Sequence, residues 1–137
     1  MRVKLDEGAR LPERAFPNDA GLDFFAREDQ AILEGGSAVF DTGVHVELPE
    51  GTFMKLESKS GLNVNYSIVS LGGVIDCGYT GSIRVKLYNF GDKPYMIRKG
   101  QKIVQGIIQP YIAPEIELAE SLGETERGEN GFGSTGL

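Results

Sequence analysis

Three short stretches of the chain hold residue types that could do chemistry. The first is GGVIDCGYTG (72–81), with Asp76 at its centre. A carboxylate that follows an apolar run and precedes a Gly-Tyr-Thr-Gly turn sits at a strand end. Partly desolvated there, it could take a proton from water. Aspartate also starts turns through its own backbone contacts, and for one Asp read alone that is the commoner use. The second is SKSG (58–61), where a hydroxyl, an ammonium and a glycine stand together. Backbone N–H groups in such a run can cradle a phosphate. It is not a P-loop, because GxxxxGK[ST] is missing, and a solvated turn has the same composition. The third is RGENGFGSTG (127–136). Arg127 offers a fork for phosphate oxygens. Ser134 and Thr135 offer hydroxyls, Gly131, Gly133 and Gly136 admit close backbone approach, and Phe132 could stack on a flat ring. Read by itself, that segment is a disordered tail.

Other chemistries lack their residues. With one histidine and one cysteine, a zinc site has almost no candidate ligands. His45 alternates with Val44 and Val46 and is expected to face solvent from a strand. No element supports a Cys77–His45 nucleophilic pair, and no GxSxG is present for a serine triad. A single cysteine forms no internal disulfide, so a reducing cytoplasm is the expected location. No apolar run approaches the roughly 20 residues of a membrane span, and MRVKLDEGAR does not read as a signal peptide. The net charge of −6 argues against a broad nucleic-acid surface. A small phosphorylated ligand is still allowed, since two or three local cations and some backbone N–H groups suffice.

The elements that must position these residues are strands. Val44, Val46 and Leu48 alternate with His45 and Glu47, and Ile83, Val85 and Leu87 alternate with Arg84, Lys86 and Tyr88. GTFMKLESKSG (51–61) alternates less cleanly, and KIVQGIIQPYI (102–112) is dense enough for a strand covered on both sides. Turn signals separate the runs at 49–51, 71–73, 79–81, 90–94 and 98–100. The 19 glycines, against about 10 expected at average usage, fit many turns and close approaches. Only SGLNVNYSI (60–68) could make a turn or two of helix. The chain of 137 residues, 40% hydrophobic and 25% charged, is expected to be one all-β domain, a barrel or sandwich. After Glu120 the composition becomes that of a mobile tail.

Five segments in order then resemble the motifs of trimeric dUTP pyrophosphatases (dUTPases). They are DAGLDFFA (19–26), SKSGLN (58–63), GGVIDCGYTGSIRVKLYNF (72–90), KGQKIVQGII (99–108) and RGENGFGSTG (127–136). The resemblance covers almost the whole chain. It implies a distorted jelly-roll, β-clip-type barrel over residues 1–125. It also implies a homotrimer whose Gly-rich arm, residues 126–137, closes over a site on a neighbouring subunit. The implied reaction is dUTP plus water giving dUMP and pyrophosphate, with Mg²⁺ on the phosphates. That activity keeps uracil out of DNA and supplies dUMP.

Carried over residue by residue, Asp76 would activate the water that attacks the α-phosphorus. Tyr79 would pack on the deoxyribose and leave no room for a 2′-hydroxyl. Gly73, Val74, Ile75 and Arg84 would read the uracil edge from the backbone of a narrow hairpin, with Ser70 nearby and Phe132 covering the ring. Lys59, Ser60, Gly61 and Gln105 would hold phosphates or their waters. Arg127, Gly133, Ser134 and Thr135 would bind them from the arm. Asp23 would lie near the metal's water shell. Two positions depart from the family pattern. Lys59 stands where Arg is usual and cannot make a bidentate fork, and Gly78 stands where a second acid is common. Cys77 is expected to report oxidation or alkylation without acting in catalysis. Lys59 keeps open a binding or regulatory module without turnover. A dCTP deaminase of the same fold is disfavoured by the tail and the Asp-Cys-Gly-Tyr segment.

Overall fold

The computed structural model describes residues 1–131. Eleven strands and one short helix enclose a single apolar core. They are β1 (Arg2–Leu5), β2 (Gly21–Phe25), β3 (Gln30–Ile32), β4 (Ser37–Asp41), β5 (Val44–Glu47) and β6 (Thr52–Ser58). After α1 (Ser60–Tyr66) come β7 (Ile68–Ser70), β8 (Val74–Ile75), β9 (Arg84–Asn89), β10 (Tyr95–Ile97) and β11 (Lys102–Pro110). The mostly-β expectation therefore holds. No helix among the described residues is long and apolar enough to cross a membrane.

Every strand pairing is antiparallel. The largest sheet runs β2-β11-β6-β8, a second runs β4-β9-β7, and β1-β5 and β3-β10 form two-stranded ribbons. The alternating residues do what their period requires. Ile83, Val85 and Leu87 are buried, as are Val44, Val46 and Leu48. β11 lies between β2 and β6, which explains its dense apolar run. Ile103, Val104 and Gly106 are buried within it.

SKSG is not a free turn, as its composition alone suggested. It is the junction between β6 and α1. The helix ends after two turns because Ser67 takes a left-handed conformation, φ 55°, and its N–H caps Asn63 O. From Tyr111 to Asn130 the chain is exposed and carries no strand or helix.

Candidate active site

Asp76 lies in a loop that links two sheets. Gly72 and Gly73 have φ of 104° and 144°, a region that L side chains avoid. That path delivers Gly73 O to Leu56 N at 2.9 Å. It lays β8 against β6, with Ile75 opposite Met54 and Val74 opposite Lys55. Tyr79 N then donates to Asp76 O at 3.0 Å, closing a turn. The expected narrow hairpin is not a strand ladder. β8 pairs with β6, whereas Arg84 begins β9 in the other sheet, opposite Asp41. The β8 ladder is two residues long, and 76–83 crosses between sheets as a loop.

The Asp76 side of this loop borders a cavity of about 520 Å³ lined by Phe53, Val74, Asp76, Cys77, Gly78 and Tyr111. Asp76 is exposed, where partial desolvation was expected, because the cleft is open to solvent. Its carboxylate has no hydrogen-bond or ion-pair partner among the described residues. Cys77 is half-buried, with Sγ 3.4 Å from Pro49 O. His45 is bonded elsewhere, so no Cys–His pair exists. Ser70 is buried below the loop, and its hydroxyl donates to Gly72 O at 3.3 Å.

Tyr79 is held by its own loop. Its Oη donates to Ser82 O at 3.0 Å, and the ring lies over Gly81. A Cβ at Gly81 would sit 2.4 Å from the Tyr79 Oη. Only a glycine leaves that room, so Gly81 is a positioning residue that the sequence reading treated as a plain turn. Further on, the loop is pinned to β4 and β5. Ser82 Oγ donates to Asp41 Oδ1, Thr42 N and Oγ1 both donate to Ile83 O, and Ile83 N donates to Val44 O at 2.8 Å. The Ser82 hydroxyl leads the influences that hold the Asp41 carboxyl below its usual range. Arg84 is mostly exposed and lies 3.7 Å from Asp41 Oδ2.

The second group is built around Asp23 on β2. Its side chain is buried at 5% exposure, yet it is not alone. Lys59 Nζ lies 2.5 Å from Oδ1, and Lys102 Nζ lies 2.7 Å from Oδ2. Burial pushes the carboxyl up, but the bonds from Lys102 and Lys59 outweigh it and hold Asp23 below the usual carboxylate range. The same bond to Asp23 raises Lys102. Gln105, opposite Asp23 in the β2–β11 ladder, donates to Ser58 O at 3.1 Å.

Ser60 and Gly61 are exposed at the start of α1, where Lys59 supplies no side-chain cap. The first backbone bond of the helix is Asn63 N to Lys59 O at 2.9 Å. The N–H groups before Asn63 therefore have no intrahelical acceptor and suit an anion. A cavity of about 470 Å³ opens beside them, lined in part by Lys59, Gly61, Tyr95 and Lys102.

These two clefts share no lining residue. β6 runs between them, with Phe53 bordering the Asp76 cleft and Lys59 just past its far end. Lys59 lies six positions along the extended chain from Phe53, a distance of about 20 Å. One chain thus keeps its unpaired carboxylate well apart from its cationic group. Arg127 is exposed, with Nε donating to Asn130 O at 3.0 Å. Phe132, Gly133, Ser134 and Thr135 lie outside the described residues. Among the described residues no group of three or more His, Cys, Asp or Glu could hold a metal ion.

Residues 7–136 match the family model of the dUTPases. The chain belongs to the dUTPase family. It is 42% identical to the deoxyuridine 5'-triphosphate nucleotidohydrolase of Clostridium tetani, over 99% of this chain and 96% of that protein. Its fold matches the Staphylococcus bacteriophage 80alpha dUTPase with dUPNHPP at a TM-score of 0.93 and 33% identity, covering 99% of this chain and 98% of that one. A mutant dUTPase from phage phi11 of S. aureus, described as revealing the coordination of a structural Mg(II) ion, matches at a TM-score of 0.81 and 31% identity. That match covers 88% of this chain and 96% of that one. As a member of the dUTPase family the chain is an enzyme, a hydrolase of nucleotide metabolism.

Proposed function

We propose that the protein hydrolyses dUTP to dUMP and pyrophosphate in sites assembled between three copies of the chain. Family membership supports the reaction. The observation that carries the shared site is the separation of the Asp76 cleft from the Lys59 junction along β6. A nucleotide seated at Asp76 in one chain finds its phosphate partners on another. The distorted jelly-roll, β-clip-type barrel over residues 1–125 and the arm over 126–137 belong to the same reading.

In the reaction Asp76 takes a proton from a water as that water attacks the α-phosphorus. The bond from the α-phosphorus to its bridging oxygen breaks, and pyrophosphate leaves with the electron pair. Tyr79, fixed over Gly81, lies against the deoxyribose and excludes a 2′-hydroxyl. Backbone groups of Gly73, Val74, Ile75 and Arg84 read the uracil edge, and the buried Ser70 supports that path. A donor–acceptor pattern that fits uracil mispairs with cytosine, and buried mispaired polar groups are costly.

Lys59, Ser60, Gly61 and Gln105 of a second chain hold the phosphates. Arg127, Gly133, Ser134 and Thr135 of the arm close on them, and Phe132 covers the base. Mg²⁺ would arrive on the phosphates of the substrate, since this ion is commonly held by phosphates, waters and one or two carboxylates and not by a protein cage. The pairing of Asp23 with two lysines supports a role in setting Lys59, and gives no support to a place near the metal's water shell.

A panel of dUTP, dTTP, dCTP and UTP with Mg²⁺ tests the reading. Pyrophosphate release from dUTP alone is expected. Ammonia release from dCTP would indicate the deaminase. Tight dUTP binding without turnover would indicate a binding module.

A further inference from the structure

His45 does not face solvent as its alternation predicted. It is half-buried, with its ring Nδ1 2.8 Å from Thr80 O and its Nε2 3.1 Å from Asp6 Oδ1. A backbone carbonyl and an ionised carboxylate can only accept. Both ring nitrogens are satisfied at once only when both carry hydrogen, as in the imidazolium. Thr80 immediately follows Tyr79 in the loop that carries Asp76.

We propose that His45 is a positioning residue for the Asp76–Tyr79 loop, tying Thr80 to Asp6 when charged and releasing Thr80 when it loses a proton. The inference rests on the reading that Tyr79 excludes the 2′-hydroxyl. The neutral ring has one N–H to give. It keeps that hydrogen toward the carboxylate, the stronger acceptor. A lone pair then faces Thr80 O, and the contact to the loop is lost. The loop is then held by the Ser82–Asp41 bond and, further on, by the bonds of Ile83 to Thr42 and Val44.

The surrounding charges favour the imidazolium. Asp6 faces the ring from the end of β1 and shares Arg27, whose Nη1 is 3.6 Å from Asp6 Oδ2. Arg27 also reaches Asp41 at 4.0 Å. Lys4 lies opposite His45 in the β1–β5 register and opposes the charge, while Arg2 and Glu47 pair with each other at the ribbon's far end. The Thr80 bond and then the Asp6 bond raise the His45 pKa above its ordinary 6.5, against some burial and Lys4. A raised value means that the grip is complete below about pH 6.5 and is lost as pH rises through the folded-state value.

The chain has one histidine, so nitrogen-15 NMR of the ring reads His45 without ambiguity. The titration midpoint is expected above 6.5, with the Tyr79 ring resonances, assigned through Tyr79→Phe, moving at the same pH. The dUTP-over-UTP preference in kcat/KM should fall by about three- to tenfold across that midpoint, the effect of one hydrogen bond. Asp6→Asn should lower the midpoint and carry the break in preference with it. His45→Gln, which cannot titrate, should abolish the break. A midpoint at or below 6.5, or Tyr79 resonances and preference that ignore it, would overturn the proposal. If dUTP is not turned over, the functional reading has failed, and the two sets of resonances alone decide the positioning claim.

Discussion

Asp76→Asn is expected to cut turnover of dUTP by about 10²–10⁴-fold, the usual contribution of a general base. The amide has nearly the same shape but cannot accept the proton of the attacking water. Asp76 is exposed and has no bonding partner among the described residues, so the exchange removes none of their bonds. Surface changes of that kind normally alter stability by about 0.5 kcal/mol or less. A coupled assay of pyrophosphate release, with calorimetric titration of dUTP, separates the effects. The expected pattern is a collapsed kcat with dUTP still bound. Equal losses of binding and turnover would make Asp76 a substrate ligand, and an unchanged kcat would remove it from the mechanism.

The second large effect is expected from deleting residues 126–137. The chain from Tyr111 to Asn130 is exposed and gives nothing to the core, so melting temperature and trimer mass should stay as they were. Turnover should fall on the order of 10²-fold, because an arm that orients phosphates and shuts out water acts on the geometry of attack. Arg127 is the one proposed phosphate ligand of the arm among the described residues, and its Nε donates to Asn130 O in its own turn. Unchanged rates in the truncated protein would sink the closing-arm idea. A trimer that falls apart would show that the arm holds the assembly together.

Part of this was legible in the sequence. Period-two alternation marks β5 and β9 because one face of each is buried and the other is not. β2 carries no such signal, since Leu22 to Phe25 are all buried. β3 and β10 are three residues long, too short to show any period. The motif order singled out Asp76, Tyr79 and Lys59 as candidates. The sequence was silent on what holds them. Asp23 and Lys59 are 36 positions apart and meet only through the β2-β11-β6 register. The fit of Tyr79 over Gly81 depends on a loop path, not on a residue pattern. His45 was misread for the same kind of reason. Alternation gave its face correctly, but that face is covered by Asp6 and Thr80, which lie far from it in sequence.

The central claim is that each site joins Asp76 of one chain to Lys59 of another. Subunit mixing tests it most directly. Asp76→Asn and Lys59→Ala, each nearly inactive alone, are mixed under conditions where trimers exchange chains, and exchange is confirmed by mass. If sites are shared, some hybrid sites combine an intact Asp76 with an intact Lys59, and about a quarter of wild-type turnover should return by random pairing in a symmetric trimer. A mixture that exchanges fully yet stays as inactive as its parents would contradict the account.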